Sequence, residues 1–388
     1  MTAHNTILLA AGGTGGHMFP ASALAEKLQN EGYDVRLATD SRGMAYVDRL
    51  VPMHVHKIPA ATIYTGGVLA LPMRMLTLIW SLLAASYLII RVQPKVVIGF
   101  GGYPSFGPVM AGLLLRRPVL VHEQNAVLGR VNRLAARFGA SIATSYAKTG
   151  NVPTKAAERM RRTGNPLRPA VLKAAQGGYR YLTGSRPFDL LIFGGSQGAA
   201  VFANVLPKAV AGLPENLQRR LRIVHQVRKE QMRTTLDAYG EIGVYAEIRD
   251  FFSDLPTRMR RAHLVIARGG AGTVAEICAL GAPSIIVPLP GSLDQDQANN
   301  IRELASAGGA IMMKQNDFSA ARLSDELQRL MTDEEALQAM SKSSADFGEL
   351  DAVGRLGRYS VCLAEGRPVQ IEKPKEEAAE DMKVGANG

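Results

Sequence analysis

Four times along this chain a short apolar run ends in a glycine-rich turn that opens onto a helical pattern. No other feature limits the fold as tightly. The first unit is Ile7–Ala11, then Gly12-Gly13-Thr14-Gly15-Gly16-His17, with a helix to about Asn30. The second is Val96–Ile98, then Gly99-Phe100-Gly101-Gly102-Tyr103-Pro104-Ser105. The third is Leu190–Phe193, then Gly194-Gly195-Ser196-Gln197-Gly198-Ala199. The fourth is Leu264–Ala267, then Arg268-Gly269-Gly270-Ala271-Gly272-Thr273, with a helix through Leu280. Strands alternating with helices predict α/β units around parallel sheets. With 388 residues and two such units in each half, the chain is expected to form two Rossmann-like domains. The hinge is expected at Gly164-Asn165-Pro166-Leu167-Arg168-Pro169, where two prolines break helix and strand. Gln176–Pro187 reads as a flexible surface insertion, and the Lys- and Glu-rich stretch 366–388 as a disordered tail.

A glycine turn between strand and helix lets the backbone approach a ligand, and the helix start offers free N–H groups and partial positive charge to phosphate. Four such turns predict a nucleotide or phosphate ligand. None is a P-loop, because Gly12–Gly16 runs into His17-Met18 rather than Lys-Ser/Thr, so nucleoside triphosphate hydrolysis is not expected. None completes G-x-G-x-x-G either, which disfavours a dinucleotide dehydrogenase.

Polar residues at the expected strand ends supply candidate chemistry. His17 falls at a helix start, where the dipole would keep its imidazole neutral and fit for general-base work. His122-Glu123-Gln124-Asn125 follows the strand Pro118–Val121, with two readings: hydrogen bonds to a polyhydroxylated substrate, or capping by Asn125 of a helix from Ala126. Glu276, in the fourth helix, is either a solvated charge or a partner for a ribose diol. Asp294-Gln295-Asp296-Gln297 contains a D-x-D triplet, yet two helix starts could neutralise a diphosphate, so no metal is required and sugar hydroxyls are the better partners.

The net charge of +11 is unevenly placed: residues 1–160 hold 16 Lys and Arg against 7 Asp and Glu. No acidic residue lies between Asp48 and Glu123, whereas Arg74, Arg91, Arg116 and Arg117 are basic. The same stretch holds the apolar run Met75–Ile90 with the single tryptophan, Trp80. Its 16 residues between arginines fall short of the roughly 20 needed to span a bilayer. It is expected either as a buried packing helix or as one with an exposed apolar face ringed by arginines, suited to an anionic membrane surface. With 6 % aromatics and no basic low-complexity tract, no nucleic-acid partner is expected. The two cysteines, Cys278 and Cys362, show no metal-type spacing and fit a reducing compartment. Before Ile7 there is no charged n-region or cleavage site, so a secretory leader is not expected.

Taken in order, Gly-Gly-Thr-Gly-Gly-His, Gly-Phe-Gly-Gly-Tyr, His-Glu-Gln-Asn, Gly-Asn-Pro-x-Arg, Gly-Gly-Ser-Gln-Gly-Ala, Thr-Val-x-Glu and Asp-x-x-Gln resemble the MurG family, glycosyltransferase family 28, from about residue 6 to 365. The resemblance implies a GT-B fold: domains 1–164 and 165–345 facing across a cleft, with a helix at about 346–365 returning to the first. It implies an inverting transfer of GlcNAc from UDP-GlcNAc to the 4-hydroxyl of MurNAc in lipid I, giving lipid II without a cofactor or metal. On the donor side it implies roles for Thr14, Gly15, Gly16, Asn125, Arg168, Ser196 at the diphosphate, Phe252 through its backbone at uracil, Ala271, Gly272, Thr273, Val274, Ala275, Glu276 at ribose, and Gln297. Gly272 and Ala275 depart from the family, which commonly has a larger residue and a serine there. His17 is the expected base, with Glu123 as the rival. Expected partners are the donor, lipid I, an anionic surface at the cytoplasmic face of the bacterial plasma membrane, and other cell-wall synthesis enzymes. Alternatives are a UDP-sugar epimerase, a glycolipid-forming transferase of the same fold, or a UDP-sugar sensor.

Overall fold

The computed structural model describes residues 5–60, 71–179, 186–195, 199–292 and 295–369. Ser196, Asp294, the Arg180–Ser185 part of the expected surface insertion, and the tail from Gln370 lie outside them. The chain divides into two compact units, the first Met1–Pro166 together with the segment from Asp351, the second Leu167–Leu350.

In unit 1 the order is β1 (Thr6–Ala10), α1 (Gly15–Asn30), β2 (Asp34–Thr39), β3 (His54–Lys57), α2 (Leu71–Val92), β4 (Val96–Gly99), α3 (Phe106–Leu114), β5 (Val119–Glu123), α4 (Arg130–Arg137), β6 (Ser141–Thr144) and β7 (Met160–Arg162). The seven strands form one sheet ordered β3-β2-β1-β4-β5-β6-β7, every pairing parallel. Alternate side chains leave a strand on opposite faces. On β1, Ile7 and Leu9 therefore join Met18, Leu24 and Leu28 of α1, while Leu8 joins Ala85 and Ile89 of α2.

In unit 2 come α5 (Pro169–Ala175), β8 (Phe188–Phe193), α6 (Ala200–Ala211), α7 (Glu215–Gln218), β9 (Leu221–Gln226), α8 (Met232–Ile242), β10 (Tyr245–Arg249), α9 (Leu255–Arg261) and β11 (Leu264–Ala267). They are followed by α10 (Ala271–Leu280), β12 (Ser284–Ile286), α11 (Asp296–Ser306), β13 (Ile311–Met312), α12 (Ala320–Thr332) and α13 (Glu334–Asp346). Its six-stranded sheet, β10-β9-β8-β11-β12-β13, is also wholly parallel. On β8, Leu190 and Ile192 face the core with α6 and α12, and Leu191 and Phe193 face that with α5, α9 and α10. The last helix, α14 (Ala352–Ala364), belongs to unit 1: Leu356 and Tyr359 enter the α1 core, and the Tyr359 hydroxyl donates to the Arg159 carbonyl at 2.8 Å.

Both sheets reverse their winding at one point. In unit 1 the reversal lies between β1 and β4, and in unit 2 between β8 and β11. Ligands of open α/β sheets bind at the carboxyl ends of the strands beside such a point. The four glycine turns follow these four strands, so all four sit where their unit can hold a ligand.

One sequence expectation is corrected here. The helix that holds the apolar run does not stop at the arginines that bound the run. Pro72 enters the first turn of α2, where its missing N–H costs nothing, and Arg74 and Arg91 lie inside the helix because arginine is a good helix former. At 22 residues, ~33 Å at 1.5 Å per residue, α2 is long and apolar enough to cross a membrane, with a mean hydropathy of 1.8 over its best window. A third of that window is nonetheless buried in the protein. Leu78, Ser81, Ala85, Leu88, Ile89 and Val92 recur at helical spacing on the buried side. The contact with α3 is close: a Cβ on Gly107 would lie 2.3 Å from Ser81 Oγ and 2.8 Å from the Ser81 carbonyl. The other side exposes Leu76, Ile79, Trp80, Leu83, Tyr87 and Ile90, each at least half exposed, and Leu114 of α3 is 65 % exposed.

Candidate active site

In unit 1 the first glycine turn delivers His17 as the third residue of α1. Its Nδ1 lies 3.2 Å from the Gly12 carbonyl. A carbonyl can only accept, so Nδ1 carries the proton and Nε2 presents its lone pair. Nε2 has no hydrogen-bond partner among the described residues, and it is not sealed in. The second turn seats the ring: Gly101 and Gly102 take φ of 82° and 72°, and a Cβ on Gly102 would come within 3.2 Å of the imidazole Cε1. Only glycine adopts this conformation without strain and leaves that space. Burial is the main reason the His17 pKa falls below 6.5, opposed by its bond to Gly12. The ring is therefore neutral at neutral pH, a base with its accepting nitrogen open.

Thr14 precedes α1 in an extended conformation, and its hydroxyl caps nothing. The N–H groups of Gly15 and Gly16 have no partner among the described residues, as expected at a helix start. The buried Asp40 braces the turn by accepting from Gly13 N at 3.2 Å and Gly43 N at 2.9 Å.

His122-Glu123-Gln124-Asn125 is not the four-residue sugar contact that its position at a strand end predicts. His122, Glu123 and Gln124 are buried and bonded within the protein. His122 Nε2 donates to the Gly164 carbonyl at 2.9 Å, and its Nδ1 accepts from Gln124 Nε2 at 2.9 Å. Burial lowers its pKa to about 4. Glu123 Oε1 accepts from Asn125 N and Nδ2, and Oε2 from Gly129 N at 2.8 Å and Asn132 Nδ2 at 2.9 Å. Burial lifts this carboxyl above the usual range even against those four donors. A carboxylate holding four donors is a scaffold for the loop, so the geometry favours His17 over Glu123 as base. The carboxylate also occupies the turn that a helix from Ala126 would have needed: α4 starts only at Arg130, with Gly129 as its N-cap. Asn125 is the one member of the quartet that reaches the half-exposed surface.

In unit 2 the fourth turn opens α10. The N–H groups of Ala271, Gly272 and Thr273 have no partner among the described residues; Val274 N is the first to be satisfied, by the Gly270 carbonyl. Three adjacent free donors at the positive end of a helix make an anion seat. Gly269 allows α11 to pack tightly, since a Cβ there would lie 2.5 Å from Ile301 Cδ1. Space beside Gly272 is open. Val274 faces the core and Ala275 lies half-buried one residue on.

The structure brings together two residues far apart in sequence, Arg168 and Glu276. Arg168 Nε and Nη2 donate to Glu276 Oε1 at 3.0 and 2.7 Å. Oε2 takes no hydrogen bond from the described residues. Burial raises the Glu276 carboxyl above its ordinary range, and Arg168 opposes the rise.

Phe252 sits on the loop after β10 with its ring buried, yet neither its N–H nor its carbonyl has a partner among the described residues. Gln297, in the first turn of α11, accepts from Leu289 N through Oε1 at 2.9 Å, which aims its NH2 away from that bond. One residue escaped the sequence reading. Gln226, at the end of β9, accepts from Gly194 N at 3.2 Å and donates to the Asp250 carbonyl at 3.0 Å, tying the third glycine turn to the Phe252 loop. An isolated glutamine has no spacing signal that could have marked it.

Residues 7–144 match the N-terminal domain of glycosyltransferase family 28, and residues 189–356 match its C-terminal domain. The chain is 47 % identical over 350 residues to a UDP-N-acetylglucosamine–N-acetylmuramyl-(pentapeptide) pyrophosphoryl-undecaprenol N-acetylglucosamine transferase of Rhodospirillum centenum, covering 90 % of this chain and 92 % of the relative. It is 43 % identical to the protein of the same name from Brucella anthropi, covering 94 % and 96 %. Among solved structures it resembles MurG of Acinetobacter baumannii, with a TM-score of 0.74, 25 % identity, and coverage of 92 % and 99 %. A UDP-N-acetylglucosamine 2-epimerase described as putative, from Listeria monocytogenes, shares the fold alone: TM-score 0.68 at 13 % identity, covering 96 % of this chain and all of that one.

Proposed function

The chain belongs to glycosyltransferase family 28, and from that premise we propose that it moves N-acetylglucosamine from UDP-GlcNAc to the MurNAc 4-hydroxyl of lipid I, forming lipid II for the cell wall. The observation that carries this reading is the donor seat on unit 2, where the free amides of Ala271, Gly272 and Thr273 stand beside the Arg168–Glu276 pair. The amides take the diphosphate, Glu276 Oε2 takes the ribose hydroxyls, Phe252 offers its backbone to uracil, and Gln297 turns its amide to the sugar. For Thr14, Gly15, Gly16 and Asn125 of unit 1, and for Ser196, which lies outside the described residues, the family resemblance supports further donor contacts.

The acceptor hydroxyl attacks the anomeric carbon as the bond to the β-phosphate oxygen breaks on the opposite face. Its proton passes to His17 Nε2, and the electron pair of the broken bond leaves on UDP, where the helix start stabilises it. Nδ1–H on the Gly12 carbonyl holds the ring in the accepting tautomer until that proton arrives.

The exposed side of α2 is the docking face for the anionic cytoplasmic leaflet. Leu76, Ile79, Trp80, Leu83, Tyr87 and Ile90 provide apolar area, and Arg74, Arg91, Arg116 and Arg117 provide charge. The buried side of α2 belongs to the core of unit 1, so the helix lies at the bilayer surface, where a lipid-linked acceptor is held.

The test is release of UDP from UDP-GlcNAc with and without lipid I in vesicles. UDP released only with lipid I supports the transfer. Conversion of UDP-GlcNAc to its C2 epimer without acceptor selects the epimerase reading and refutes this one.

A further inference from the structure

Phe252 is held by an arrangement that its role as a backbone contact does not require. The Arg258 guanidinium lies 4.5 Å from the centroid of its ring. Three carboxylate oxygens fix that guanidinium. Nη1 and Nη2 donate to Glu247 Oε2 and Oε1 of β10 at 2.6 and 3.1 Å, and Nε donates to Asp254 Oδ1 at 2.8 Å. A planar fork held at three points is a rigid plate, and an aromatic face packs against it with cation–π attraction. Arg249 adds a second cation 6.0 Å from the ring and pairs with Glu247 at 2.8 Å.

Asp254 is the telling residue. It occupies the N-cap of α9, where its side chain would ordinarily accept a helix N–H, but it makes no such bond. Its carboxylate serves Arg258 instead, which holds its pKa below the usual range. Helix capping is forfeited to fix the guanidinium.

We propose that Arg258 is a positioning residue for base recognition: by pinning the Phe252 ring it sets the Phe252 N–H and C=O, and so makes the site select uracil over cytosine. The inference rests on the reading of unit 2 as a uridine-nucleotide site. Uracil presents an acceptor at O4 beside a donor at N3, which complements one backbone donor and one backbone acceptor. Cytosine presents the reverse pair, and a mispaired polar edge is strongly rejected only where the reading groups are held rigidly. Arg258 is engaged by the Phe252 ring, Glu247 and Asp254, so its effect is on selectivity.

Titration calorimetry of the full chain with UDP and with CDP tests this. In Arg258→Ala, UDP affinity falls about tenfold while CDP binding changes little, so the UDP/CDP ratio shrinks. In turnover the loss falls on the donor KM more than on kcat. Arg258→Lys keeps the charge but not the fork, and does not restore the ratio. Phe252→Leu in the Arg258→Ala background costs no further selectivity, because both changes remove one clamp. Equal weakening of UDP and CDP, restoration of the ratio by lysine, or additive losses overturn the proposal. If Arg258→Ala fails to fold, Arg258→Lys and Phe252→Leu decide the matter by the same ratio. A wild-type protein that does not prefer UDP overturns the uridine reading itself, and the positioning role with it.

Discussion

Replacing Glu276 by alanine should weaken donor binding through one identifiable pair of atoms. Glu276 Oε1 is taken by Arg168, and Oε2 is open to a ligand. The side chain is 14 % exposed, so a hydrogen bond to it is poorly screened by water. A hydrogen bond from a neutral hydroxyl to a charged group contributes about 1.5–3 kcal/mol, or roughly 10- to 150-fold in binding. Two ribose hydroxyls on one oxygen share that attraction, so the expected loss is about 10²-fold rather than the square of the single figure. The assay compares kcat/KM for UDP-GlcNAc and its 2′-deoxy analogue, using wild type and Glu276→Ala with lipid I in vesicles. Wild type should penalise the missing hydroxyl by at least tenfold, and the variant should hardly notice it. A variant that still discriminates as wild type does would falsify the ribose role, and a loss under twofold would do the same. The charge-assisted strength of these bonds requires the ionised carboxylate. Because burial raises its pKa, donor affinity should begin to fall on acidification at a higher pH than an ordinary glutamate would set.

Four further outcomes follow from the geometry. His17→Ala should lower turnover by about 10²–10⁴ with little change in UDP affinity, and near-normal turnover would show that another group takes the proton. The depressed His17 pKa should keep the acid limb of kcat/KM below pH 6.5; a limb above that value would contradict the neutral buried imidazole. Charge reversal at Arg74, Arg91, Arg116 and Arg117 should cut binding to anionic vesicles by more than about 10²-fold while UDP affinity is retained, since none of the four is among the proposed donor contacts; unchanged vesicle binding would mean that the excess charge serves something else. His122 and His225 are buried neutral, with pKa values lowered by burial to about 4 and about 3. Unfolded histidine takes up its proton near 6.5, so the unfolded state binds protons first on acidification. Their contribution is complete above about pH 6.5 and is lost as pH falls towards 4 and then 3, which urea melts should record as a declining midpoint. A midpoint flat from pH 7 to 4.5 would rule that out.

The two-sheet architecture was legible because each strand buried on both faces reads as a short apolar run, and each crossover begins with a glycine turn. That these turns collect at two points of reversed winding was not legible, since strand order depends on which strands pair. The polar quartet after β5 looked like a substrate contact because position at a strand end was all that could be read. Three of its members turn inward: His122 bonds Gly164, Glu123 bonds Gly129 and Asn132, and Gln124 bonds His122, partners set in place only by the packed fold. The full length of α2 is not legible from the apolar run alone, because arginine interrupts the run in sequence while its long aliphatic stem suits a helix. Arg258 gave no signal at all: its partners lie 4 and 11 positions away, and only the packing of α9 on β10 turns them into a cage.

The return of α14 to unit 1 governs the order in which the chain can be completed during synthesis. Unit 2 is one uninterrupted stretch and can close its core as soon as it has emerged. Unit 1 cannot, because Leu356 and Tyr359 belong to the core that holds Ile7, Leu9, Leu24 and Leu28. Between the last strand of unit 1 and its final helix the ribosome must add roughly 180 residues, about 10–40 s at ordinary elongation rates. For that interval the α1 face of the nascent unit is bare and apolar, and the exposed side of α2 is already present on the opposite side of the sheet. The first-made half of the protein is therefore the last to be finished, and the half most in need of a chaperone.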